Sequence, residues 1–191
     1  MKAAPQIQIE MKTSTQDKLA CLNQVLLAID SEVEHFMWNA GASRMGEKVS
    51  QFDLGDEPVV LWSVTDTSGN CVGHLELHNN QFGWVIARVW TRRDFRRHGL
   101  ARLLYRRAFS YGFAQSETIG VFCFDYNYPS RNLILNLGFE PDGRPVHPQI
   151  EFFVATRAAT TKAAAQFALR NQHKKRVPIG LSSQHSRQSP A

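Results

Sequence analysis

The hydrophobic period of this chain changes at a small number of places, and those changes restrict the folds open to it. From Pro58 to Thr65, from Cys71 to His78 and from Trp84 to Thr91 the period is 2, as in strands. Turn residues separate the three runs, at Thr67-Ser68-Gly69-Asn70 and at Asn79 to Gly83. This predicts an antiparallel meander. From Gly99 to Gln115 the period becomes helical. Leu100, Leu103, Leu104 and Ala108 fall on one face, and Arg102, Arg106 and Arg107 fall towards another. Thr118 to Phe124 is a continuous apolar run of strand length, the pattern of a strand covered on both faces. Pro129 to Leu137 predicts a short helix ended by Gly138. Phe139 onwards returns to strand, with a turn at Pro141-Asp142-Gly143, and Gln149 to Thr156 reads as the last strand.

Upstream, Ile7 to Met11 alternates like a first strand, and Thr13 to Asp17 offers helix caps. Leu19, Leu22, Val25, Leu26, Ile29 and Val33 then predict one long helix up to Trp38, or two broken near Asp30-Ser31. Residues 39–57 read as a loop with helical fragments. The predicted class is α/β: a mixed, mostly antiparallel sheet of six to seven strands flanked by helices.

Charge separates this body from a tail. Residues 1–156 hold 15 Lys+Arg and 17 Asp+Glu, a net −2, whereas residues 157–191 hold 7 Lys+Arg and no acid. The division expected is therefore a domain over 1–156 and a basic appendage over 157–191. Ala155 to Leu169 is Ala-rich and predicts helix. Asn171 to Ala191, with His173-Lys174-Lys175-Arg176 and a Ser/Gln-rich end, predicts disorder. The longest apolar run, Val25 to Ile29, is far short of the roughly 20 residues of a membrane span. Met1 to Glu10 has no apolar stretch of the kind secretory signals carry. Cys21, Cys71 and Cys123 are odd in number and far apart, which fits neither a disulfide framework nor a zinc ribbon. A cytoplasmic location is the expectation.

The chemistry is expected around Arg96-Arg97-His98-Gly99-Leu100-Ala101, between a strand and a helix. A glycine there lets a ligand approach the backbone closely. The first N–H groups of the helix are unpaired, and its dipole adds partial positive charge. Such a turn suits a pyrophosphate, and Arg96 and Arg97 would add charge-assisted donors. Alone, the pattern is short, and a plain helix cap beside a solvated surface would also produce it.

This segment resembles motif A of the GNAT N-acetyltransferase superfamily, which binds acetyl-CoA. A second element supports the resemblance: after Ile119 to Phe124 come Asn127, Ser130 and then Leu137-Gly138-Phe139 at the family's spacing. The match is good over residues 58–140. The resemblance implies a sheet splayed at a cofactor cleft. It implies that the backbone of Val89, Trp90 and Thr91 lines the pantetheine arm like an added strand. The backbone of Arg96, Arg97, His98, Gly99, Leu100 and Ala101 would cradle the pyrophosphate. Asn127 would bond the pantetheine, and Arg131 would reach the adenosine phosphates.

The chain departs from the family at Ile134, where many members carry a tyrosine that protonates the departing CoA thiolate. Three readings stay open: the thiolate leaves unassisted or with water, another residue (Cys123, Tyr126 or Tyr128) substitutes, or the domain binds acyl-CoA without turnover. A base is also needed, because an amine near pKa 10.4 is charged at neutral pH. His74, Glu76 and His78 alternate, so they share one strand face. Glu76 is the first candidate base and His74 the second, with Asp125 a further one. A solvated or ion-paired strand face would produce the same pattern, and no metal is expected. Trp38, Trp62, Trp84 and Trp90 would line an acceptor pocket or simply pack. By alternation, Arg88 and Trp90 share a face with Trp84 and Ile86.

Three functions compete. The first is acetyl transfer from acetyl-CoA to a primary amine of a small molecule or peptide, by direct attack in a ternary complex. The second is an acyl-CoA-binding regulatory module. The third assigns the basic tail a weak contact with nucleic acid or an anionic surface, or a role in a homodimer.

Overall fold

The structure is a computed structural model that describes residues 6–14, 16, 18, 58–144, 146 and 148–176. Its strands are β1 (Ile7–Lys12), β2 (Val60–Asp66), β3 (Cys71–Asn80), β4 (Gly83–Thr91), β5 (Thr118–Phe124), β6 (Glu140–Pro141) and β7 (Ile150–Thr156). Its helices are α1 (Leu100–Gln115), α2 (Tyr128–Asn136) and α3 (Arg157–Arg176), with a 3-10 turn at Arg93–Phe95. The predicted helix and loop between Thr13 and residue 57, with Trp38, lie almost wholly outside the described residues.

The seven strands form one sheet in the order β1-β2-β3-β4-β5-β7-β6. β2 to β4 are the predicted antiparallel meander, and β1 adds to it antiparallel to β2. Tight turns close it. Asp66 Oδ1 accepts from the amides of Ser68 and Asn70, an Asx turn that sets the β2–β3 register. β4 and β5 are parallel, because α1 crosses over between them. β5 is then antiparallel to β7. The fold is thus the mixed, mostly antiparallel α/β sheet that the pattern predicts.

α1 covers one face of the sheet through Leu100, Leu104, Tyr105, Ala108, Gly112 and Phe113. That spacing is one helical stripe. Leu103 is only half-buried, and Tyr105 takes the core place expected for it, in an edge-to-face contact with Phe139. Small residues permit the close packing. A Cβ on Gly112 would lie 2.7 Å from Ile119 Cδ1, and one on Gly73 would lie 3.2 Å from both Leu100 Cδ2 and the Trp90 carbonyl. β2 adds Val60, Trp62 and Val64 to this core, and α2 adds Ile134.

The C-terminal helix differs from expectation. It does not end near Leu169 but runs on to Arg176, so His173 to Arg176 are helical rather than part of a disordered end. High helix propensity and the lack of Gly or Pro before Pro178 carry it through. Its first turn is docked on the body. Thr160 is buried, and Arg157 donates to the Phe113 carbonyl at the end of α1. Gly138 makes this docking possible. It has φ 94°, and a Cβ there would lie 2.7 Å from the Ala159 carbonyl oxygen.

Gly138 and Gly143 both adopt positive φ, but no described residue lies within 4 Å of a Cβ on Gly143. Alanine at either position carries about 1–2 kcal/mol of left-handed strain. Gly138→Ala also pushes α3 off its seat, adding about 1–3 kcal/mol. Urea unfolding is expected to rank Gly138→Ala clearly below Gly143→Ala, and equal losses would contradict the close approach of α3.

Candidate active site

β4 leaves β5 almost as soon as it meets it. The parallel pairing consists of Val85 with Gly120 and Ile86 with Val121. Beyond Ile86 the two strands part. On its other edge β4 stays paired to β3, but with one extra residue. His74 pairs with Trp90 and Glu76 with Ala87, so Leu75 alone faces both Arg88 and Val89. This is a β-bulge, and Arg88 takes the left-handed φ of 38° that it requires.

The bulge resets the side-chain alternation. Trp84 packs against Tyr111 of α1. Trp90 lies instead beside His74, ring centroids 6.2 Å apart, on the opposite sheet face. The simple alternation that put Arg88 and Trp90 with Trp84 and Ile86 is therefore wrong. The one-residue insertion moves Trp90 across the sheet. Trp62 also packs on Tyr111, so two of the tryptophans serve the core beneath α1.

Opposite α1, β3 presents His74, Glu76 and His78 as one face, all buried. Arg88 Nε lies 3.0 Å from Glu76 Oε2. His78 Nε2 lies 3.0 Å from the same oxygen, and because a carboxylate only accepts, His78 presents its Nε2–H. His74 Nε2 is 3.4 Å from Glu76 Oε1, close enough for attraction but poorly aimed for a hydrogen bond. Burial pushes the Glu76 carboxyl upward. The two histidine rings beside it and the Arg88 charge overcome that and hold it at about 2. Glu76 is thus a fixed anion. Both ring nitrogens of His74, Glu76 Oε1 and Thr91 Oγ1 are buried without a hydrogen-bond partner among the described residues. No trio of His, Cys, Asp or Glu converges as a metal site among those residues.

At the far end of β4, the chain turns into α1 through two left-handed residues, Arg97 with φ 65° and Gly99 with φ 81°. The first helical hydrogen bond runs from Leu103 N to the Gly99 carbonyl. The amides of Gly99 to Arg102 therefore precede the helical ladder, as at any helix N-terminus. Arg96 is turned back, its Nε donating to the Thr91 carbonyl at 2.8 Å. Arg97, His98 and Gly99 are exposed, and Leu100 anchors the turn in the core. A neighbouring clamp holds the approach. Arg92 pairs with Asp94 and Asp66 and lies over the Phe95 ring.

The second motif builds α2. Asn127 is its N-cap, and its Oδ1 accepts from Ser130 N at 3.2 Å. That explains the Asn-x-x-Ser spacing locally. Arg131 is bound to Glu151 of β7 through Nε at 2.6 Å and Nη2 at 3.3 Å, so a phosphate there would compete with a carboxylate. Ile134 is fully buried in the core. Of the groups near it in sequence, Tyr128 and Asp125 are exposed. Tyr126 stacks on Phe124, and burial raises the Cys123 thiol above its ordinary value. Sequence reasoning missed Arg88 as the partner of Glu76. Its one signal was an arginine interrupting an apolar strand.

The family model described as the Acetyltransferase (GNAT) family matches residues 26–139. This chain belongs to that family, a family of acyltransferases. Solved structures agree on the fold. A putative acyl-CoA N-acyltransferase from Klebsiella pneumoniae aligns with TM-score 0.58 at 14% identity, over 78% of this chain and 97% of that one. A protein from Pyrococcus horikoshii aligns with TM-score 0.57 at 16% identity, over 80% and 99%. A GNAT-family acetyltransferase from Staphylococcus aureus aligns with TM-score 0.57 at 14% identity, over 79% and 99%. A search of curated proteins finds no match.

The Glu76 carboxylate sets a pH dependence. Its folded value, about 2, lies below the 4.5 of a free glutamate. The resulting stabilisation, about 3 kcal/mol, is present above pH 4.5 and is lost as pH falls towards 2. Glu76→Gln is expected to lower stability at pH 7 and to flatten its decline between pH 4.5 and 2. Parallel pH profiles for the two proteins would contradict the ion cluster.

Proposed function

We propose that this protein transfers an acetyl group from acetyl-CoA to a primary amine, by direct attack in a ternary complex. One observation carries the reading: β4 parts from β5 beyond Ile86 and ends in the Arg97–Arg102 turn with its free helix-start amides. The residues fit such a cofactor. A pyrophosphate would meet the Arg97 to Arg102 amides at the positive end of α1, and among the described residues nothing lies within 4 Å of a Cβ built on Gly99. The edge of β4 from Ala87 to Thr91, freed from β5, would pair with an extended pantetheine, so Val89, Trp90 and Thr91 contribute backbone groups. Acetyl-CoA would supply an acetyl group activated as a thioester.

The acceptor amine must lose a proton. Glu76 is a poor acceptor, because a carboxylate held at about 2 has little affinity for one. His74 is the better base. Its ring nitrogens have no hydrogen-bond partner among the described residues, and it lies against Trp90 where β4 departs from β5. We assign proton acceptance, through a water, to His74. Glu76 is a positioning residue whose anion stabilises the imidazolium as it forms. At Ile134 no side chain can donate a proton to the departing thiolate. A thiol near pKa 8.5 makes that protonation a modest requirement. The acceptor is a small molecule or a peptide amine, and the cytoplasm is the proposed location.

The burial of Ile134 favours a second reading, an acyl-CoA-binding module without turnover. Calorimetric titration and a free-thiol assay separate the two. The wild type is expected to bind acetyl-CoA at micromolar concentration and to release CoA when amines are supplied. Gly99→Trp should lose at least tenfold in affinity. His74→Gln should keep the affinity and lose about 10²- to 10⁴-fold in kcat. Binding with no thiol release for any amine would favour the module, and no binding would remove both readings.

A further inference from the structure

α3 does more than close the chain. Its start is pinned to the end of α1, where Arg157 donates to the Phe113 carbonyl. Further along, its Phe167 ring lies under Arg102 in the first turn of α1, the guanidinium carbon 4.0 Å from the ring centroid. Eleven residues of α3, from 157 to 167, therefore retrace twelve of α1, from 113 to 102, in the opposite direction. From there α3 continues to Arg176, past the helix start where the pyrophosphate turn lies.

Two features of this seam lack a structural explanation. Phe167 is 37% exposed, on a helix whose residues beyond Ala163 are all exposed as far as Asn171. Arg102 and Arg106, one turn apart, have no carboxylate partner among the described residues, and neither does Arg170, one turn beyond Phe167. Desolvation and the charge of Arg106 both disfavour the charged form of Arg102. A structural role for these arginines would pair them with acids, as Arg92 and Arg131 are paired. A planar guanidinium laid flat on an aromatic ring keeps its N–H edge free to bind a phosphate. Arg102 also directly follows Ala101, the last residue of the turn expected to hold the pyrophosphate.

We propose that Arg102, seated on Phe167 and supported by Arg106 and Arg170, binds the ribose 3′-phosphate of the cofactor, so that α3 forms one wall of the nucleotide end. This rests on the acetyl-CoA reading above and extends it to a subsite that the turn itself does not supply. α3 thereby acquires a reason to be a long exposed helix with six basic residues and no acid.

The test is calorimetric titration of the full-length chain with CoA and with 3′-dephospho-CoA at low salt. The wild type is expected to bind CoA about tenfold more tightly, the effect of a charge-assisted contact to one phosphate. Arg102→Gln and Phe167→Ala should each bring the two affinities within about twofold, losing more for CoA than for 3′-dephospho-CoA. Lys162→Gln, on the docked part of α3, should keep the preference. Equal binding of both ligands by the wild type would overturn the 3′-phosphate site but leave the acetyl-CoA reading standing. A preference that survives both Arg102→Gln and Phe167→Ala would also overturn it. Binding of neither ligand would remove the cofactor reading and this inference with it.

Discussion

The bulge in β4 is the constraint on which the site depends. One extra residue opposite Leu75 forces Arg88 into a left-handed backbone conformation, which costs a non-glycine residue about 1–2 kcal/mol. The ion pair with the buried Glu76 holds it there. Three consequences follow from that one insertion. Trp90 crosses to the His74 face. The strand twists away from β5, limiting their contact to two residue pairs. The freed edge then leads into the turn at Gly99. Without the bulge, β4 and β5 would have no local cause to diverge, and the wedge between them would be filled by ladder hydrogen bonds.

Burying Glu76 costs desolvation, which neighbouring cations and donors must offset. Arg88 does so while its own head stays partly exposed, 43% by side-chain area, so only one member of the pair is fully dehydrated. The cluster thus ties the bulge in β4 to the middle of β3. A hydrophobic replacement would hold the sheet together as well, but would not fix the register of the insertion. Specifying that register is the physical role we assign to this charge.

Much of the fold was legible because its signals are local. β5 was bounded at Thr118 and Phe124 from its apolar run, and α1 from the glycine before Leu100. The antiparallel meander followed from period and turns. What was not legible depended on pairing. Alternation along β4 put Trp90 on the wrong face, because a bulge is defined by the partner strand and leaves only a faint trace in its own residues. The end of the basic helix was misplaced because charge and low hydropathy imitate disorder, although Lys and Arg are good helix formers. At the site, the shared face of His74, Glu76 and His78 was read correctly from period 2. The Arg88 contact with Glu76, on which our proposal of His74 as the base rests, was not visible there, because it reaches across from β4.

The central claim is that the turn at the start of α1 and the freed edge of β4 form one continuous cofactor groove. The most direct measurement is backbone amide chemical-shift mapping during titration with acetyl-CoA. The account predicts that the largest changes fall on Val89 to Thr91 and Arg97 to Arg102 together, saturating with a single affinity, while β1 and β6 stay still. Changes confined to one of the two segments, or centred elsewhere in the sheet, would contradict it.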